Sequence, residues 1–167
     1  MDEREQRLID LIERAFHCVE VGDGVSLHEA NIIDNYGTTE ERLEARAPDE
    51  KHDWRKLIAD PDLARLCSTA YASLSFFDGA GLRFHLPACF SRAILHPEDE
   101  WVADMLESLV FQLTHLSEYQ QERFAVLDPL QRTCAREMLI YLRDSFWAEG
   151  AALDQAIDGY WSEGVVP

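Results

Sequence analysis

His28-Glu29 with Asp34 is a cluster whose types and spacing could gather metal ligands, because all three lie within two turns of one helix. An imidazole and two carboxylates would suit a divalent cation. Glu29, however, is also the last member of a capping pattern that begins at Ser26, and that role employs the same carboxylate in holding backbone amides. The other histidines, His17, His52, His85, His96 and His115, show no HExxH and no paired His/Cys spacing. No metal and no cofactor is therefore expected. Ser91 and the cysteines lie in no nucleophile elbow, since GxSxG is absent. Gly79-Ala-Gly81 lacks the further glycine and the lysine of a phosphate loop and reads as a turn. With 32 acidic side chains, acid–base chemistry through a carboxylate pair stays open, and abundance makes any one pair uninformative. Cys18, Cys67, Cys89 and Cys134 are widely spaced in apolar contexts, which reads as four buried thiols.

Charge points to a different kind of chemistry. Fifteen bases against 32 acids give −17, which repels phosphate backbones and anionic membranes, so neither nucleic acid nor membrane is expected as a partner. Residues 63–97 hold three arginines and only Asp78, so the acid excess belongs to the two flanking segments. No Lys or Arg occurs from Ala93 to Glu122, where Glu98, Asp99, Glu100, Asp104 and Glu107 accumulate. That stretch is a candidate docking face for a basic partner, with a solvated surface as the plain alternative.

The elements that must position these groups read as helices on either side of one exception. Leu8, Ile9, Leu11, Ile12, Ala15, Phe16 and Val19 make an apolar stripe at helical spacing. Ser26…Glu29 and Thr38…Glu41 are capping boxes opening two short helices, the first stopped at Gly37. Asp60-Pro61 and Asp128-Pro129 place a cap before a proline at the first helical position. Residues 88–95, the run from Trp101 to Leu113, and Leu153 to Trp161 complete the helical set. Between residues 73 and 86, Leu74 and Phe76, then Leu82, Phe84 and Leu86, alternate with polar residues about Asp78-Gly-Ala-Gly81. That period of two predicts an antiparallel β-hairpin, ended by Pro87, with Arg83 and His85 on its less buried face. The fold class expected is mainly α (α+β): a single acidic domain over 1–167, a helical bundle packed around one hairpin.

The run Leu74-Ser-Phe-Phe-Asp78 with Gly81-Leu-Arg-Phe-His-Leu-Pro-Ala88 resembles the central signature of an uncharacterised bacterial family of small acidic proteins, known only as a domain of unknown function. Leu27–Gly37 and Arg123–Arg132 are similar to that family's early acidic helix and its entry into a late helix, so the resemblance spans roughly residues 8–146. It implies a fold and no activity. Carried over residue by residue, Asp34 and Tyr36 fall in the early motif and Arg83 on the polar position of the central one. At His85 the family more often has tyrosine. Asp34, Tyr36, Arg83 and His85 together form a candidate pocket, and an Asp34–Arg83 ion pair is the structural alternative.

Two functions of different classes follow. The first is a non-enzymatic protein-binding domain, such as an immunity protein or antitoxin masking a basic toxin, steered by its acidic faces. The second is a small enzyme or ligand-binding domain with a pocket near the central hairpin. No apolar run approaches the ~20 residues of a membrane span and the hydrophilic N-terminus is unlike a signal peptide, so a cytoplasmic location is expected.

Overall fold

A computed structural model describes residues 1–146 and 150–164, and most of its helices begin where side chains satisfy the first free amides. Asp2 caps α1 (Glu3–Ala15), and Glu5 reaches back to the Asp2 amide. In α2 (Leu27–Asp34) Glu29 likewise bonds the Ser26 amide, and Thr38 and Glu41 cap each other across the start of α3 (Thr39–Arg46). A 3-10 turn at Trp54–Ala59 precedes α4 (Pro61–Leu66), which Asp60 caps. The short α5 (Ser73–Phe76) leads into α6 (Gly79–Leu95), followed by α7 (Val102–Thr114) and α8 (Glu118–Phe124). Asp128 and Gln131 cap reciprocally at the start of α9 (Pro129–Phe146), and α10 (Ala151–Asp158) ends in a 3-10 turn at Tyr160–Ser162.

Helix α6 is the axis of the bundle. Every residue from Phe84 to Ile94 is buried, because α1, α4, α7, α8 and the Trp54–Ala59 turn all pack against it. Large side chains close the core around it, and the two deepest indoles keep their polar ends satisfied: Trp54 donates to the Phe16 carbonyl and Trp161 to the Leu113 carbonyl, each at 2.8 Å. Each such aromatic contributes about 2–3 kcal/mol by burial. No helix among the described residues is long and apolar enough to cross a membrane.

The β-hairpin expected at residues 73–86 does not form. Among the described residues there is no strand, and the fold is all-α. Residues 73–76 make one helical turn, and 79–95 are continuous helix through Pro87. The physical reason is burial on every side. A helix enclosed all round has no polar stripe, so its apolar residues need not show the 3.6-residue period. Leu82, Phe84 and Leu86 are buried as a strand pattern would have them, and so are His85 and Pro87. Asp78-Gly-Ala-Gly81 is a helix start: Asp78 Oδ1 accepts from the Gly81 amide at 2.8 Å and from the Val25 amide at 3.0 Å. Neither Gly79 nor Gly81 has a positive φ, so these glycines serve close approach rather than a turn.

The reading of four buried thiols also needs correction. Cys67, Cys89 and Cys134 are buried, whereas Cys18 lies at the surface just beyond α1, with Sγ 2.8 Å from His17 Nδ1. The stripe that suggested burial continues past the end of the helix, and the chain turns there. The Cys89 thiol beside it, together with burial, pushes the Cys67 thiol well up, and burial does the same to Cys134.

Candidate functional site

The structure does not assemble the four pocket residues into one site. Tyr36, just past α2, is 97% exposed, whereas His85 on α6 has no exposed surface. Its ring stacks on Phe77 with centroids 4.1 Å apart, and Nδ1 donates to the Gly81 carbonyl at 2.7 Å. Nε2 is buried without a partner, and desolvation pushes the imidazole down to about 4, so it is neutral at physiological pH. Arg83 bonds Gln131 Oε1 at 3.0 Å, and Gln131 in turn donates to the Ala15 carbonyl, so this arginine ties α6 to α9 and α1. No ion pair joins Arg83 to Asp34, which carries no cation partner among the described residues.

The metal-type cluster is spent on structure. His28 lies between two carboxylates: Nδ1 is 2.6 Å from Asp49 and Nε2 is 3.1 Å from Asp62. The hydrogen bond to Asp49 is the main cause that pushes the imidazole up to about 9, so both nitrogens are protonated and neither keeps a lone pair for a metal. Glu29 accepts from Arg42 and Arg46, each at 2.8 Å. No group of three or more His, Cys, Asp or Glu among the described residues is arranged to hold a metal ion.

The acidic stretch keeps its charge at the surface. Glu98, Asp99, Glu100, Asp104 and Glu107 are all exposed. Asp99 is paired with Arg92 at 3.0 Å, and the other four have no cation partner among the described residues. On α7, Asp104 and Glu107 share a face with Phe111, which is 57% exposed and stacks on His115. The bases nearby point inward. Arg92 donates to the Ile58 and Asp60 carbonyls, and buried Arg123 donates to Gln112, Gln120 and the Leu74 carbonyl. That Arg123 network was not read from the sequence, because α8 is short and its glutamines carry no pattern.

A family described only as of unknown function, DUF6714, matches residues 4–165. The chain belongs to that family. No curated protein and no solved structure matches it. The family brings no activity, so the site must be judged on geometry.

An open groove of about 860 Å³ runs along α1 of this DUF6714 chain, lined by Arg4, Arg7, Leu11, Arg14 and Glu137 among others. None of the four expected pocket residues lines it. A smaller cavity of about 230 Å³ borders the acidic stretch, lined by Arg65, Arg92, Asp99, Glu100 and Trp101. Its two arginines are already paired with Asp62 and Asp99.

The Glu29 cluster has a testable consequence. Helix α3 buries none of its residues, and Arg42 and Arg46 pin it to Glu29. Glu29→Ala leaves two guanidiniums uncompensated, and a loss of about 2 kcal/mol is expected. Hydrogen exchange should speed up across residues 39–46 while α6 stays protected. Uniform acceleration across both helices would contradict this.

Proposed function

We propose that this chain is a non-enzymatic protein-binding domain that docks a basic partner on the exposed face of α7. One observation carries the reading: Asp104 and Glu107 lie in line with exposed Phe111, without a cation partner among the described residues. Stability explains this face poorly. Acids in the first turn gain from the helix dipole, whereas Glu107 lies further in, and Phe111 leaves more than half of its surface in water, where it contributes nothing by burial. A basic surface would neutralise the acids and cover the ring, and long-range attraction would speed the encounter. Among basic partners, a toxin masked by this chain as its immunity protein or antitoxin fits a small, acid-rich domain.

The test uses Asp104→Lys with Glu107→Lys. Both positions are exposed, so the loss of stability should stay within about 1 kcal/mol, the share that Asp104 draws from the helix dipole in the first turn. A partner recovered by capture on the wild-type chain should associate about tenfold more slowly with the double reversal at low salt, with the rates converging as salt rises. Superimposable rates and salt slopes would reduce these acids to a solubility device and sink the reading.

A further inference from the structure

Tyr36 occupies a position where stability favours glycine. Helix α2 ends in a Schellman arrangement: the Gly37 amide bonds the Ile32 carbonyl at 2.9 Å and the Tyr36 amide bonds the Ile33 carbonyl at 3.1 Å. The residue between helix cap and Gly37 must be left-handed, and Tyr36 has φ 58°. A bulky side chain is strained there, and glycine is the usual occupant. The adjacent glycine serves another purpose, since a Cβ at Gly37 would lie 2.3 Å from the Ile32 side chain. The Tyr36 ring gains no contact in return, being 97% exposed. The next helix repeats the theme. In α3, Leu43 is 62% exposed between Glu40 and Glu44 on one face, while Arg42 and Arg46 turn inward onto Glu29. The unpaired charge on this hairpin is negative: Asp34, Glu40 and Glu44 have no cation partner among the described residues.

We infer that the α2–α3 hairpin is a docking element for a basic protein surface with an apolar cleft, and that Tyr36 is its anchor. The inference rests on the reading above that the partner is basic, and adds that it must also offer an apolar socket. Charge complementarity selects a basic occupant. The exposed phenol and Leu43 select one with a cleft, since an aromatic in a desolvated pocket is the usual energetic centre of an interface.

Two peptides of equal positive charge serve as probes, an amphipathic lysine–leucine peptide and a lysine–serine peptide, titrated by NMR against the full chain. The lysine–leucine peptide should shift the Tyr36 and Leu43 resonances. Tyr36→Gly should weaken it about fivefold or more, Tyr36→Phe should not, and neither should alter the lysine–serine peptide. Tyr36→Gly should also melt at or about 2 °C above wild type, because the left-handed strain is relieved. A lower melting temperature would make Tyr36 a structural residue and overturn the inference, as would unchanged affinity for the lysine–leucine peptide. The double reversal on α7 separates the two readings. If it weakens both peptides while Tyr36→Gly weakens neither, the α7 face stands and the hairpin falls. If Tyr36→Gly alone acts, the hairpin stands and the α7 face falls.

Discussion

Gly81→Ala should destabilise the chain by about 3 kcal/mol, although it replaces a glycine inside a helix. Two effects of opposite sign compete. Helix propensity favours alanine over glycine by about 1 kcal/mol at an interior position, an upper limit for Gly81 in the first turn of α6. Against that, a Cβ at Gly81 would lie 2.3 Å from the Val25 carbonyl oxygen and 3.0 Å from Asp78 Oδ1. Both are held in place. Asp78 bonds the Val25 and Gly81 amides at once, and a Cβ on Gly24 would itself meet Ala80 Cβ at 2.6 Å and the Gly81 amide nitrogen at 2.7 Å. The loop backbone thus lies directly on the first turn of α6, and the obstruction is a carbonyl rather than a flexible side chain. Steric cost wins. Urea unfolding decides it: the midpoint should fall, whereas a rise would mean that the loop yields and that propensity alone governs the site.

Stability should peak near pH 6.5–7 and fall on both sides, with a different histidine responsible for part of each slope. His85 has its folded pKa depressed to about 4 by burial, below the unfolded value near 6.5. Its contribution is complete above pH 6.5 and is lost as pH falls toward 4, because the unfolded chain takes up the proton that the core refuses. The gap corresponds to about 3 kcal/mol. His28 runs the other way. Its folded pKa is raised to about 9, chiefly by the hydrogen bond to Asp49, so its contribution is complete below pH 6.5 and is lost as pH rises through 9. With 38% of the His28 side chain exposed, solvent screening reduces that contribution to about 1 kcal/mol. In urea unfolding across the pH range, His85→Phe should flatten the slope between pH 6.5 and 4. His28→Gln should flatten the one between 6.5 and 9. The carboxylates bound to arginine or backbone amides begin to lose their own contribution only below about pH 5, so the His85 slope is read between pH 6.5 and 5. An acid slope unchanged by His85→Phe would show that this imidazole is accessible to protons in the folded chain.

Local chemistry was legible in the sequence and long-range placement was not. Ser26…Glu29, Thr38…Glu41, Asp60-Pro61 and Asp128-Pro129 named helix starts that all formed, because a cap is made by residues two or three apart and needs nothing else. The acid run from Glu98 to Glu107 was likewise readable as exposed, since unpaired carboxylates are too costly to bury. Tertiary structure decided the rest. The alternation across residues 73–86 could serve a half-buried strand or a helix enclosed on all sides, and only the neighbours packed around α6 chose between them. Arg83 needed a partner, and the bundle supplied Gln131 on α9 in place of Asp34. Glu29 and His28 looked like ligands in isolation. Arg42, Arg46, Asp49 and Asp62, brought in from later elements, turned them into fasteners. Composition and spacing determine which residues can ionise, cap or pack. Which of them meet depends on contacts between distant segments, and a period of two or 3.6 carries no record of those.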